Sequence, residues 1–372
     1  MYFLLHSESG YSDFKMKYTT TSISLLFISI GVIHAQTSAA KKTVHDTVKT
    51  IQVSSDQTSK VSYNNGLNDF SKGNYQTALT NFTQAINGNA KFEPGYLARA
   101  NTRYKLKDYR NAVDDYKSAL ALDSNDEKVW YGLGLSQTML GNKGQAIAAF
   151  THVVRKNTNN GDAWYCLGEL QATILNYKDA IADFSLAISS KPNFAEAYND
   201  RATCNYNLGN YKSAATDYRQ AAALNKTPDV YDNLGNAELK DSDLDGAIGA
   251  YSQAIMLKPV FPDAYTNRGI AYMDKKGYSD AMSDFNKAIQ QDSNNAFAYC
   301  NRALTEFKMN NLDKAKADCD KAIMLKADYG TAYLNRGIIE EAQRKDKEAC
   351  ADWQKAVSYG MTIANDYIKD CK

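Results

Sequence analysis

Histidine is nearly missing from this sequence: four occur in 372 residues, His6, His34, His45 and His152. The first two lie before or within an apolar leader and the third in a polar stretch, so a folded core would hold His152 alone. Catalytic triads, histidine metal centres and most general-base chemistry lose their commonest residue, and an enzyme is disfavoured. Proline is scarce too, five in all, and Ala, Leu, Lys and Asp are plentiful, which favours helix over sheet. An excess of either charge is lacking: 43 Lys and Arg stand against 42 Asp and Glu, a net charge of +1. That leaves no electrostatic footprint for nucleic acid or an anionic membrane. None of the six cysteines stands in a C-x-x-C pair, so zinc and thioredoxin-like chemistry are not indicated. No cofactor is expected.

A long apolar run is also lacking. Ser22 to Ala35, SISLLFISIGVIHA, follows Lys15 and Lys17 and ends on a small residue, the layout of a secretory signal peptide. It is shorter than the roughly 20 residues of a membrane-spanning helix, although an uncleaved anchor helix is the bland alternative. We place the leader at 1–35, with cleavage after Ala35. Met16-Lys17 reads as a natural translation start, because the residues before it do not suit a signal n-region. No Cys follows the apolar run, which argues against a lipid anchor. Residues 36–58, rich in Ser, Thr, Lys and Gln, read as a flexible polar linker. The mature protein is therefore expected in the periplasm or secreted, without stable membrane insertion.

What is present is self-similarity. Tyr265 opens YTNRGIAYMDKKGYSDAMSDFNKAI, Tyr299 opens YCNRALTEFKMNNLDKAKADCDKAI, and Tyr333 opens YLNRGIIEEAQRKDKEACADWQKAV. The offset is near 34 residues, the length of a tetratricopeptide unit. Trp164, Leu167, Gly168, Ala180, Phe184, Ala187 and Pro192 fill that family's pattern, and so do Tyr231, Leu234, Gly235, Ala247, Tyr251, Ala254 and Pro259. Trp130, Leu133, Gly134, Ala146 and Phe150 match with Val153 in place of the second Ala. The chain thus resembles the tetratricopeptide-repeat family over most of its mature length. The resemblance implies an all-α fold, a right-handed superhelical solenoid. It would hold about nine helix–turn–helix units over 59–363, with 364–372 as a C-terminal capping helix. No unit buries its apolar face alone, so neighbours supply the stability.

Five units carry Arg where the family has Leu: Arg99, Arg201, Arg268, Arg302 and Arg336. Each also carries Asp before its second-helix aromatic position: Asp115, Asp217, Asp284, Asp318 and Asp352. Two Leu units, at Leu133 and Leu234, have Ala149 and Ala250 there, while the Leu167 unit keeps Asp183. The covariation predicts ion pairs between the two helices of a unit, since the guanidinium fork matches a carboxylate. The other reading is a ladder of ligand-binding arginines.

The resemblance also implies that first helices line a groove. The early units would present Tyr63, Leu67, Phe70, Leu97, Tyr104, Tyr131 and Leu135 to it. The middle units would present Glu196, Asn199, Asp200, Thr203, Tyr206, Asp229, Asp232, Asn233, Asn236 and Asn267. The later ones return to Ile270, Met273, Leu304, Phe307 and Ile338. Asn both donates to and accepts from a peptide backbone, so such a groove suits an extended peptide or a helix. The competing reading is a merely solvated face. A subclass of the family clamps terminal carboxylates, but Asp232 stands where a Lys is wanted and Phe297 at another clamp position, so that reading is rejected.

Cys350 and Cys371 remain open between a disulfide that staples the last helix and two packed thiols. The segment CADWQKAVSYG with its Cys-Lys end resembles exported Bacteroidetes-type repeat proteins. The expected function is a non-catalytic, exported scaffold for a protein or peptide, with self-association open. The alternative is an accessory factor of envelope or outer-membrane assembly that contacts glycan or a membrane complex.

Overall fold

The computed structural model describes residues 55–369 and 371. The leader, its start and cleavage points, and most of the expected linker lie outside the described residues. Nineteen helices and no strand occur among the described residues. They fall into two compact units, divided along the chain between Lys191 and Pro192.

The first unit holds α1 (Ser55–Ser71), α2 (Tyr75–Gly88), α3 (Glu93–Lys105), α4 (Tyr109–Leu122), α5 (Glu127–Met139), α6 (Lys143–Lys156), α7 (Gly161–Thr173) and α8 (Tyr177–Ser190). The second holds α9 (Ala195–Asn207), α10 (Tyr211–Leu224), α11 (Pro228–Lys240), α12 (Leu244–Leu257), α13 (Pro262–Asp274), α14 (Tyr278–Gln291), α15 (Ala296–Lys308), α16 (Leu312–Leu325), α17 (Gly330–Ala342), α18 (Asp346–Ser358) and α19 (Ala364–Ile368). Helix α1 begins at Ser55, inside the stretch read as linker, and Ser59 is buried. The expected cap is helical only over Ala364–Ile368.

Helix starts follow local chemistry. Asp126 accepts the N–H groups of Lys128 and Val129, Asn160 that of Ala163, and Asn295 that of Ala298. These bonds satisfy donors that an open helix end leaves orphaned. Pro opens the first turn of α3, α11 and α13, where its missing N–H costs nothing. Between the helices of a pair the chain takes a left-handed residue. Gly73, Gly141 and Gly209 serve in three pairs, but Lys107, Leu175, Ser242, Lys276, Asn310 and Arg344 adopt the same positive φ in the others.

Consecutive helices pack against one another throughout each unit. Within a pair, a glycine of the first helix lets an aromatic ring of the second lie on its backbone. A Cβ at Gly66, Gly168, Gly235 or Gly269 would meet the rings of Phe82, Phe184, Tyr251 and Phe285 at 2.6–2.7 Å. Phe82, Phe184, Tyr251 and Phe285 are fully buried, as are Ala78, Ala180, Ala247 and Ala281 beside them. The principal contacts that skip a helix join first helices: α1 with α3, α3 with α5, α11 with α13, α13 with α15, and α15 with α17. First helices therefore stand closer together than second helices, and each unit has its inner face on the first helices.

The last pair is closed by α19. Met361 and Ala364 are buried against Tyr333, Leu334, Ala349 and Trp353. The Tyr367 ring lies 5.1 Å from that of Trp353, and Cys371 is bonded to Cys350. The other four cysteines, Cys166, Cys204, Cys300 and Cys319, are buried free thiols.

Candidate functional site

The inner face begins with side chains that the arginines do not occupy, because the arginines are turned to their carboxylates. Arg268 donates from Nε and Nη2 to the two oxygens of Asp284, both at 2.8 Å. Arg99 grips Asp115 in the same way, Arg201 grips Asp217, Arg302 grips Asp318 and Arg336 grips Asp352. All five carboxylates are buried, with one guanidinium each as bidentate partner; Asp115 takes a second arginine, Arg103, at 2.6 Å. Each guanidinium also lies over the tyrosine three positions before it, 5.3–5.7 Å from Tyr96, Tyr198, Tyr265, Tyr299 and Tyr333. This geometry makes the arginines internal struts.

In the two Leu–Ala units the strut is replaced by apolar contact. Leu133 and Ala149 share one cluster, and Leu234 and Ala250 another. The third Leu unit keeps a carboxylate without an arginine. Burial, with Asp179 nearby, pushes the Asp183 carboxyl up to about 7.

The first unit presents aromatic side chains. Tyr63, Phe70, Tyr104 and Tyr131 are half-buried. Tyr63 meets Phe92 edge-on at 5.1 Å, Phe70 meets Tyr75 at 5.3 Å, Tyr104 meets Tyr109 at 5.3 Å, and Tyr131 meets Phe150 at 5.5 Å. Burial raises the Tyr104 phenol to about 12 and the Tyr131 phenol further, so both are neutral contact groups rather than acids or bases.

In the second unit the face is polar at α9, α11 and α13. Asn199 is half-buried; its Oδ1 has no hydrogen-bond partner, while its Nδ2 donates to Asp200 at 3.0 Å. Tyr206 stands edge-on to Tyr211. Asn236 donates to Oδ2 of Asp232 at 3.2 Å, and Asn267 reaches across from α13 to Oδ1 of Asp232 at 3.4 Å and to Oδ1 of Asn236 at 3.2 Å. Burial pushes the Asp232 carboxyl up to about 7 against the lowering effect of those amides; Asp263 and Asp229 add to the rise. Phe307 closes the polar stretch. With Leu304, Asn335, Ile338 and Ile339 it lines a shallow apolar notch of about 190 Å³ including its open mouth.

Two expected polar face residues lie deeper, and so do the apolar Leu135, Ile270, Met273, Leu304 and Ile338. Thr203 is 2% exposed and Asn236 is 4% exposed. The reason is a hydroxyl on the second helix: Thr203 Oγ1 is 2.9 Å from the Tyr218 hydroxyl, and Asn236 Oδ1 accepts from the Tyr251 hydroxyl at 2.8 Å. Asn101 does the same for Tyr116 at 2.6 Å. Thr203 and Asn236 thus support the face from beneath it. The signal was available: the units whose ring is Phe carry Leu67, Leu135, Glu169 and Ile270 at this position, whereas the Tyr units carry Asn, Thr and Asn.

Tetratricopeptide-repeat family models match residues 100–141 and 235–276, residues 195–228, and residues 262–295 and 298–329. The chain is a tetratricopeptide-repeat protein. Solved structures with which this repeat protein shares likeness include YrrB, described as a TPR protein with an unusual peptide-binding site. The identity is 23%, over 50% of this chain and 97% of that one, with a TM-score of 0.45. MamA is 29% identical over 43% of this chain and 95% of that one, TM-score 0.42. A tetratricopeptide repeat protein from Parabacteroides merdae is 17% identical over 67% and 99%, TM-score 0.47. No curated protein matches the chain. Among the described residues, no helix of this repeat protein is long and apolar enough to cross a membrane, and no three His, Cys, Asp or Glu side chains cluster as metal ligands.

Proposed function

We propose that this repeat protein is a non-catalytic scaffold that holds a segment of another protein on the inner faces of its first helices. One observation carries the reading: the first helices present half-buried aromatic and amide side chains, Tyr63, Phe70, Tyr104 and Tyr131 in one unit and Asn199, Tyr206, Asn267 and Phe307 in the other. Rigid rings and amides supply contact area and backbone hydrogen bonds at low entropic cost. Repeats that leave such a face open over many units are suited to extended ligands.

Export to the periplasm or the exterior is part of the proposal. The Ser22–Ala35 leader supports it, and so does the Cys350–Cys371 disulfide, a bond that persists in oxidising compartments. A photo-crosslinking amino acid placed at Asn267, in cells of the native host, should trap a discrete protein partner. The same group at Lys287, exposed on a second helix, should trap none. Equal labelling from both positions would remove the inner face as the binding surface.

A further inference from the structure

We propose, resting on the peptide-binding reading above, that the inner face of α9, α11 and α13 takes a basic segment of a partner protein and seats a lysine or arginine side chain on Asp232. The case is one of charge complementarity. This face offers Glu196, Asp200, Asp229, Asp232 and Asp263, and no Lys or Arg stands among the groove positions of these three helices. The two arginines that α9 and α13 do carry, Arg201 and Arg268, are committed to Asp217 and Asp284.

Asp232 differs from the buried carboxylates of the arginine units. Asp115, Asp217, Asp284, Asp318 and Asp352 each have a guanidinium partner. Asp232 makes no ion pair among the described residues and receives only two amide N–H groups, from Asn236 and Asn267. A carboxylate offers about four acceptor sites, so the two amides fix its orientation and leave room for further donors. Withdrawing a carboxylate from water without a counter-charge is unfavourable. The energy is recovered when a cation arrives, and no cation of the described residues stands on this face to supply it, so a ligand's would. A lysine ammonium brings three donors and no acceptor, which suits a carboxylate already oriented by amides. From Ile270 on α13 onwards the face turns apolar, with Leu304, Phe307 and Ile338 on the next first helices, so apolar residues should accompany the cation.

The test is selection of a phage library of random dodecapeptides on the full chain with its disulfide intact. Enriched sequences should carry Lys or Arg at a fixed place beside apolar residues. Calorimetry with the leading synthetic peptide should show at least tenfold weaker binding to D232N. It should show a similar loss when norleucine replaces the peptide's cation on the wild-type protein, a comparison that needs no protein variant to fold. D232N should melt no lower than wild type at pH 8, since it removes an uncompensated charge. Neutral or acidic enriched sequences, or equal affinity of D232N, would overturn the cation assignment and leave the peptide-binding reading standing. Failure to enrich any sequence would remove both.

Discussion

Tyr251 donates its hydroxyl hydrogen to Oδ1 of Asn236, fifteen residues earlier on the partner helix, at 2.8 Å, and the same oxygen accepts from Asn267. The bond links the core of one helix pair to the inner face of the next. Tyr251→Phe should therefore lower stability by about 1–3 kcal/mol, the cost of an under-satisfied buried amide. Adding Asn236→Leu, which reproduces the Phe–Leu arrangement of the Phe82 and Phe150 pairs, should recover part of the loss. Denaturant melts of the two single variants and the double variant would show a coupling of opposite sign to the single effects.

The arginine struts make a second prediction. Asp284→Ala leaves Arg268 with Ser252 at 2.9 Å and two tyrosine rings but no carboxylate partner. A loss of up to about 3 kcal/mol is expected, tempered because the guanidinium is partly exposed. The paired change Arg268→Leu with Asp284→Ala copies the Leu–Ala units and should restore most of it. If Asp284→Ala left stability intact and weakened ligand binding instead, the arginines would be ligand groups.

Much of this was legible in the sequence, and unevenly so. The repeat length, the glycine–aromatic spacing and the Arg–Asp covariation could be read because each recurs at a fixed offset, which the helix pair turns into a fixed contact. The depth of Thr203 and Asn236 is not legible from one helix alone, because their burial is set by a tyrosine hydroxyl fifteen residues away. The start of helix α1 at Ser55 leaves no mark in the sequence, because Ser, Asp, Gln and Thr carry no apolar period there. Asp232 is legible in the sequence only as the acidic residue that rules out a carboxylate clamp, because its two amide partners, Asn236 and Asn267, lie on its own helix and the next first helix.

Asp183 gives a pH prediction. Its folded pKa, about 7, lies above the ordinary carboxylate value, so the folded chain binds this proton more tightly than the unfolded one. The favourable contribution is fully present below about pH 4 and disappears as pH rises through 7. Asp183→Ala should therefore raise the unfolding free energy at pH 8 by about 1 kcal/mol once solvent screening is allowed for, and should give no gain at pH 4. A gain of equal size at both pH values would assign the effect to packing.

Leu175 sits at φ 62° and is 71% exposed. The left-handed region costs a non-glycine residue about 1–2 kcal/mol, and little packing offsets it here. Leu175→Gly should stabilise the first unit by about 1 kcal/mol, as measured by urea denaturation, despite the added freedom of the unfolded chain. A lower midpoint would mean that the leucine makes contacts which outweigh its backbone strain.

The disulfide closes a loop of 21 residues, for which restriction of the unfolded chain is worth about 3 kcal/mol. A Cys350→Ser, Cys371→Ser protein should lose amide protection in α19 first, and then along the α17 and α18 surfaces that Met361 and Ala364 cover. Protection in the first unit should stay unchanged, because repeat stability is passed only between neighbours.

Three of the struts also reach backwards. Arg268 Nη1 bonds Ser252, Arg302 bonds Asn286 and Arg336 bonds Asp320, each on the second helix of the preceding pair. Three successive joints from α12 to α18 are thus riveted by a planar group that resists twisting. Leu133, Leu167 and Leu234 stand at the same position of their pairs and carry no donor for such a bond. A single residue choice per repeat thus sets which joints are cross-braced, and a ligand on α13 to α17 should meet a cradle stiffened at successive joints.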